Sequence, residues 1–205
     1  MVTGHECKTD SAFPIGKQFN ALLALKRYCF YMAIGMVVAI ILEKKIVYFI
    51  SPGAENTDEV LKLAKERANE LGIGTVILAS TRGFTAEKAL ESLQGLKLVV
   101  VGIDRERFSK ETEEKLKQKS FPLVFSHEVA YQYSEEMKSA FRRFSQGVKV
   151  AVEDAVIACI GKIVEDGAEV ISLAGSSRGA DTAIVVKAAS DFHSIKVREI
   201  ICMPH

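Results

Sequence analysis

The chain has 205 residues, which is enough for one domain and at most a short appendage. Hydrophobic residues make up 48% and charged residues 26%, values typical of globular proteins, so disordered, collagen-like and disulfide-scaffold classes are excluded. Lys plus Arg total 27 against 26 for Asp plus Glu, and no overall basic field exists to attract nucleic acid. A TIM barrel of about 250 residues does not fit either.

The four cysteines are Cys7, Cys29, Cys159 and Cys202. They form no CxxC pair, and no histidine stands at zinc-finger spacing. Cys159 and Cys202 lie in apolar runs and are typical of small core residues. We therefore predict a reduced, cytoplasmic protein.

The first 42 residues differ from the rest. An uncharged stretch of 15 residues, 28–42, follows Lys26-Arg27 and resembles a signal anchor, although a spanning helix needs about 20 residues. Three interpretations stay open: a membrane anchor, an element packed on the domain, and a mis-assigned start with translation beginning at Met32 or Met36. The last is favoured, and residues 1–42 are expected to be dispensable for folding.

Strand and helix patterns alternate from Glu43 onward. The run IVYFI at 46–50 predicts a buried strand, and Ser51-Pro52-Gly53 predicts a turn. Asn56, with Glu59 three residues later, predicts a capping box at the start of a helix that ends at Gly72.

The remaining elements follow the same alternation. Ser109 is predicted to cap one helix, and Gly147 is predicted to separate the last two. Strands are predicted at 75–80, 96–103, 122–125, 169–174, 183–188 and 197–203, with helices at 85–93, 110–119, 135–144 and 148–165. The last two strands suit an antiparallel pair. The pattern predicts a three-layer α/β/α fold with a mainly parallel sheet.

The first candidate binding loop joins a strand to a helix. It consists of Ser80, Thr81, Arg82, Gly83, Phe84 and Thr85. Ligands bind at the carboxyl edge of such sheets, and hydroxyls beside a helix N-terminus favour phosphate or carboxylate.

The second candidate loop has the same character. It contains Gly175, Ser176, Ser177, Arg178, Gly179, Asp181 and Thr182. The glycines permit close backbone approach, the hydroxyls can donate, and Arg178 can hold an oxyanion with two parallel bonds. Neither loop is a Walker or a GxGxxG motif. The alternative is that both are turns, with Asp181 accepting from local N–H groups. Both loops follow apolar strands, so we expect them to converge on one anion.

Other polar residues give weaker signals. His127 follows a predicted strand and is either a site residue or a surface residue. Glu153 and Asp154 lie early in their predicted helix, and favourable interaction with the helix dipole is the preferred explanation for them, with a role as ligand or metal-binding residues as the alternative. No Ser–His–Asp set, metal-ligand cluster or pair of catalytic carboxylates can be assigned, so no metal is predicted.

Two segments carry a resemblance to a known family. ILASTRGFTAEKAL at 77–90 resembles the effector-loop segment of the pyruvate kinase C-terminal domain, and DGAEVISLAGSSRGADTA with EIICMP resembles its closing strand, loop and final hairpin. The sequence is more similar to a stand-alone family of uncharacterised, largely archaeal proteins with this fold, through EKKIVYF, the PGAENT turn and the same ending. The resemblance covers 43–205. The stretch 104–147 is shorter than the family leads us to expect, and 1–42 has no counterpart.

The resemblance implies the α/β/α fold and a role for the loops. In pyruvate kinases the segment matching 80–85 holds a phosphate of a sugar bisphosphate effector. The stand-alone family is consistent with a phosphate-bearing ligand, for which flavin mononucleotide (FMN) is a candidate, with Phe84, Phe192 or Tyr131 available for ring stacking. Pyruvate kinase activity is not implied, because that chemistry belongs to a TIM barrel.

Three hypotheses of function remain. The first is a module that binds a phosphorylated small molecule or nucleotide. The second is an enzyme that uses this ligand as cofactor or substrate, for which His127 is the candidate acid or base. The third is a scaffold or membrane-tethered subunit in which the loops are structural. Formation of a homo-oligomer stays open.

Overall fold

The computed structural model of the protein describes residues 43–205. The predictions on the apolar stretch 28–42 and on an alternative start therefore lie outside the described residues. Contacts within the chain define a compact unit over Lys45–His205. Within the described part of the chain, no helix combines the length and the apolar character needed to cross a membrane.

Seven strands form one sheet. In chain order they are β1 (Val47–Phe49), β2 (Thr75–Ala79), β3 (Lys97–Gly102), β4 (Leu123–Phe125), β5 (Glu169–Ala174), β6 (Thr182–Lys187) and β7 (Lys196–Pro204). Their order across the sheet is β1-β7-β6-β5-β2-β3-β4. Strand β6 runs antiparallel to β5 and β7, and all other neighbours are parallel. The mainly parallel sheet and the late antiparallel pair are both confirmed.

Helices cover both faces of this sheet. They are α1 (Thr57–Leu71), α2 (Phe84–Ser92), α3 (Lys110–Gln118), α4 (Glu135–Arg142) and α5 (Gln146–Ile160). Helices α1, α2 and α3 pack on one face, and α4 and α5 pack on the other. The α/β/α architecture is therefore confirmed.

Alternation along the strands separates the two cores. Val76 and Leu78 of β2 enter the core beneath α1 and α2, whereas Ile77 between them enters the core beneath α5. Ser172 of β5 is fully buried, and its hydroxyl donates to the Ala151 carbonyl of α5 at 2.7 Å. That bond satisfies the hydroxyl inside an apolar layer.

The start of the described chain differs from its prediction in two ways. The run at 46–50 is not a buried strand, because only Val47–Phe49 pairs, at the sheet edge, with Tyr48 48% exposed and Ile50 fully exposed. Asn56 precedes α1, but its side chain does not cap the helix; its amide donates to the Ser51 carbonyl at 2.8 Å. The prediction of a capping box at Asn56 is therefore wrong.

The break between α4 and α5 also lies elsewhere. Gly147 lies inside α5 rather than between the helices, and Ser145 caps the helix by accepting from the Val148 N–H at 2.9 Å. Helix α5 ends at Ile160, earlier than predicted. By contrast, the Ser109 cap of α3 is confirmed, since its hydroxyl accepts from the Thr112 N–H.

The cysteine prediction is confirmed for the described pair. Cys159 and Cys202 are free and buried. Burial raises the pKa of both thiols to about 12, so they behave as small apolar groups rather than nucleophiles.

Candidate functional site

The two candidate loops leave neighbouring strands of the sheet. Strands β2 and β5 are adjacent and parallel, with Val76 opposite Ile171 and Leu78 opposite Leu173. Their carboxyl ends therefore lie side by side, and the loops that follow line one cleft of about 950 Å³. The predicted residues that line it are Ser80, Thr81, Arg82, Thr85, Gly175, Ser176, Ser177, Arg178 and Gly179.

Arg178 joins the two loops across the cleft. Its guanidinium lies 4.4 Å from the ring centroid of Phe84, which begins α2. Both residues line the cleft, and Arg178 is exposed. A guanidinium stacked on an aromatic face keeps its N–H groups free at its edges, so this one can still bind an anion.

Three helix starts surround the cleft. Residues at or near the N-termini of α2, α3 and α5 line it, namely Thr85, Ser109 and Gln146. The N-cap of α2 is Gly83, which has no side chain to accept from the first N–H groups, while Ser80 Oγ accepts from the Ala86 N–H at 3.3 Å. The positive ends of the helix dipoles and the free N–H groups favour negative charge in the cleft.

Hydrogen bonds to buried residues fix the conformation of the second loop. The Ser176 N–H donates to Asp181 Oδ2 at 2.9 Å, and Asp181 is fully buried. The Ala180 N–H donates to Thr57 Oγ1 at 3.1 Å, which ties the loop to α1. Gly179 has a φ of +81°, and a Cβ there would lie 2.7 Å from the Ala54 Cα. Glycine is therefore required by packing within the protein.

Four of the predicted site residues do not line the cleft. They are Gly83, His127, Asp181 and Thr182. Thr182 is fully buried as the first residue of β6, and its hydroxyl donates to Asp181 Oδ1 at 2.9 Å. His127 is exposed in a turn after β4, and its N–H donates to the Ile103 carbonyl. Asp181 and Thr182 thus support the loop from inside.

A polar cluster on α5 forms another wall of the cleft. Lys149, Glu153 and Asp154 line it together with Tyr131. Lys149 is only 8% exposed and forms an ion pair with Glu153, which also accepts from the Tyr131 hydroxyl at 2.8 Å. Burial and the bond to Glu153 raise the pKa of the Tyr131 hydroxyl. Lys149, Glu153 and Tyr131 therefore satisfy one another.

Asp154 is the exception in this cluster. It is 4% exposed, and among residues 43–205 its buried Oδ2 has no hydrogen-bond partner. Burial, with a smaller contribution from the Glu153 charge, raises the pKa of the Asp154 carboxyl well above its usual range. The helix dipole cannot explain these acids as we predicted, because α5 begins at Gln146 and the dipole acts within the first turn.

A sequence signal for this cluster did exist. The α5 sequence GVKVAVEDAVIACI is apolar on nearly all sides, which is typical of a buried helix. Lys149 and Glu153 stand four residues apart within it, a spacing that pairs charges on one face. Charged groups in a buried helix need partners or a function, so this pattern indicates a polar site.

The aromatic side chains divide between the cleft and the core. Phe84 and Tyr131 line the cleft, but the Arg178 guanidinium already covers part of the Phe84 ring, so Tyr131 is the better candidate for stacking on a ligand ring. Phe192 is buried and stacks on Tyr133, with centroids 3.8 Å apart and planes at 9°. Its ring face is therefore already occupied on that side, and it is a weaker candidate for stacking.

Replacing Asp154 with Asn is expected to change how stability depends on pH. In the unfolded chain the carboxyl loses its proton near pH 4, whereas the native state retains the proton to higher pH. The contribution of Asp154 to wild-type stability should therefore fall as pH rises above about 4, and the Asp154→Asn protein should lack this contribution. We expect the melting temperature of the variant to exceed that of wild type by a few degrees at pH 7–8, since about 1 kcal/mol corresponds to about 2–4 °C here. Circular dichroism melts from pH 4 to 8 measure this.

The two proteins should converge near pH 4, where both side chains are neutral. If the melting temperatures of the two proteins differed by the same amount at every pH from 4 to 8, native Asp154 would be ionised as it is in the unfolded chain.

The sequence matches a known protein family. A family model described as "Pyruvate kinase, alpha/beta domain" matches residues 58–186. The structure is similar to a crystal structure of a pyruvate kinase from Cryptosporidium parvum, with 14% sequence identity and a TM-score of 0.42. That similarity covers 79% of this chain and 26% of the other, so this chain corresponds to about a quarter of that enzyme's length. Because the family match extends over more than half of the sequence, the chain belongs to the pyruvate kinase alpha/beta domain family.

Proposed function

We propose that this chain binds a phosphate-bearing small molecule or nucleotide in the cleft at the carboxyl edge of the sheet. One observation carries the proposal: the loops after β2 and β5 line a single cleft and bring Arg178 to the start of α2. Phosphate suits this place because an always-charged guanidinium and helix N–H groups face the same space. The proposed ligand set is the group of nine loop residues that line the cleft.

FMN is the first candidate ligand. A cleft of about 950 Å³ lies within the usual range of small-molecule sites and has room for more than a phosphate. Phe84 and Tyr131 offer aromatic surface for a planar ring. A sugar bisphosphate is the alternative, through the effector-loop resemblance of residues 80–85.

Calorimetry with FMN, fructose 1,6-bisphosphate and inorganic phosphate tests the proposal. We expect saturable binding of at least one of them, weakened by salt because the phosphate contacts are ionic. Native mass spectrometry of protein purified from its source should show a phosphate ester retained, and a visible absorbance band would identify it as flavin. Absence of binding by all three, together with a bare protein in the mass spectrum, would contradict the proposal.

We expect no phosphotransfer from phosphoenolpyruvate to ADP by this 205-residue chain. The family match covers only the alpha/beta domain, whereas the chemistry of pyruvate kinase resides in a barrel for which this chain has no room. A coupled assay for pyruvate with Mg²⁺ and K⁺ present measures this, with heat-inactivated protein as control. Pyruvate formation above that control, which rises with the amount of pure protein, would contradict the expectation.

An enzymatic role is the second candidate function. The observation in its favour is a buried acid, Asp154, beside the ion pair of Lys149 and Glu153 in the same cleft. A carboxyl whose pKa is raised by burial is typical of general acids. His127 no longer serves this hypothesis, because it is exposed and does not line the cleft.

A cytoplasmic location remains our proposal. It is supported by Cys159 and Cys202, which are free thiols within the described residues. A membrane-bound location through 28–42 remains the alternative, and fractionation of cells that make the full chain distinguishes the two.

A further inference from the structure

We propose that Asp154 is protonated and donates a hydrogen bond to the organic part of the ligand. It selects phosphate esters whose organic part presents an uncharged acceptor, a carbonyl oxygen or an unprotonated ring nitrogen. This inference rests on the proposed function, because the phosphate end is held by the loops. It adds to the proposed function the chemical class of ligand that the same cleft selects.

The position of Asp154 supports a role in binding. The residue lines the cleft that the phosphate loops also line, on the wall formed by α5. It is 4% exposed, and within the described part of the chain its Oδ2 is buried without a partner. A buried polar atom left unpaired is destabilising, so a ligand that forms a hydrogen bond with the Asp154 carboxyl recovers part of that cost.

The surrounding charges favour the neutral form of Asp154. On its own helix, burial and then the Glu153 charge raise the pKa of the Asp154 carboxyl, and Lys149, which is paired with Glu153, opposes them with a smaller effect. From the loop after β4, Tyr131 directs its hydroxyl to Glu153 rather than to Asp154. The cations of the loops are Arg82 and Arg178, and both are exposed.

The sheet surface beneath α5 is mostly apolar within residues 43–205. Ile77, Val99, Val101, Ile184 and Val186 of β2, β3 and β6 share one core with this helix. Polar groups meet it near Gly147, where Thr182 brings a neutral hydroxyl and Asp181 a carboxyl, and neither is a cation. In β5, Ser172 uses its hydroxyl on the Ala151 carbonyl. A carboxyl in these surroundings retains its proton, and a protonated carboxyl donates one hydrogen bond.

The chemical consequence is selectivity by the type of acceptor. A neutral carboxyl O–H can donate to a carbonyl or a ring nitrogen, and it would repel neither. A second phosphate or carboxylate near it would also lie close to the Glu153 charge, which is unfavourable. The cleft therefore suits a molecule that is anionic at one end and uncharged at the other.

Two variants at this position test the inference. Asp154→Asn keeps a donor in a side chain of nearly the same size and shape, whereas Asp154→Leu keeps the branched shape, is somewhat larger and removes the donor. Affinities for FMN, glycerol 3-phosphate and inorganic phosphate are measured by calorimetry with the full chain at pH 6–9. FMN presents carbonyls and ring nitrogens, and glycerol 3-phosphate presents only hydroxyls.

In wild type we expect FMN to bind more tightly than the other two, and its affinity to fall as pH rises. In Asp154→Leu the ratio of FMN affinity to phosphate affinity should fall about 10-fold, and in Asp154→Asn it should stay within about threefold of wild type, without the pH dependence. An unchanged ratio in Asp154→Leu overturns the inference while the proposed function stands. Binding of inorganic phosphate but not FMN also overturns it. Failure of every phosphate compound to bind wild type removes the proposed function itself, and this inference with it.

Discussion

Truncation of Arg178 to Ala is expected to weaken binding of a phosphate ligand about 10- to 150-fold. The reason is the loss of a charge-assisted hydrogen bond worth roughly 1.5–3 kcal/mol. Stability without ligand should change little, because the side chain is exposed and its contact with Phe84 is worth about 0.5–1 kcal/mol at such a site. Calorimetry with FMN and inorganic phosphate, beside thermal melts of the ligand-free protein, measures both quantities.

Two further variants sharpen this result. Arg178→Lys keeps the charge but loses the planar fork, so it should recover only part of the affinity. Thr85→Ala removes a neutral donor from the start of α2 and should cost less than Arg178→Ala, about 0.5–1.5 kcal/mol. If Arg178→Ala bound each ligand as wild type does, or unfolded the ligand-free protein, the loop would be structural and the binding proposal would fail.

Substitution of Gly147 by Ala is expected to destabilise the fold by about 2–4 kcal/mol. Helix propensity alone predicts the opposite sign, because Ala is favoured over Gly in helices, by at most about 1 kcal/mol for a residue such as Gly147 in the first turn. The contact decides the sign: a Cβ on Gly147 would overlap Thr182 Oγ1, lie 2.5 Å from Thr182 Cβ and lie 2.9 Å from Asp181 Oδ1. Both neighbours are fully buried and bonded to each other, so α5 or β6 must move. Urea denaturation followed by circular dichroism measures the loss.

Gly74→Ala is the matched control. A Cβ at Gly74 meets nothing within 4 Å, and the residue is exposed. This substitution should therefore change the free energy of unfolding by about 0.5 kcal/mol or less. If Gly147→Ala were as stable as wild type, the close approach of α5 to the start of β6 would be wrong. Asp181 would then not be fixed by packing against Gly147, and another contact would have to position it for its hydrogen bond with the Ser176 N–H.

The order of the strands explains why two separate loops can form one site. A loop at a parallel strand's end always lies on the carboxyl edge, but two such loops converge only when their strands are close. Strands β2 and β5 are about 90 residues apart in sequence and are nevertheless adjacent and parallel. Arg178 can reach Phe84 only because of that adjacency. The cleft proposed to bind phosphate thus depends on the order of the strands as much as on the sequence of either loop.

Local pattern by itself determined most of the architecture. The alternation of apolar runs and helical periods predicted β2, β3, β5 and the cap of α3 correctly. This worked because the side of a strand or helix that is buried follows from the spacing of apolar residues along the sequence. The same patterns placed both candidate loops after parallel strands. Where a residue had two local options, as Asn56 did between capping α1 and bonding to Ser51, the pattern could not decide.

Tertiary structure decided which residues face the cleft and which support it. Asp181 and Thr182 carry the chemistry of a binding loop but turn inward, where they bond to each other beneath Gly147. The apolar sequence of α5 indicates a polar site around Asp154, but only the packing of α5 against the sheet shows that Asp154, unlike Glu153, is buried without a partner among the described residues. The physical reason is the same for all three: the cost of burying a polar group depends on neighbours distant in sequence, and those neighbours are set by the packing of the whole domain.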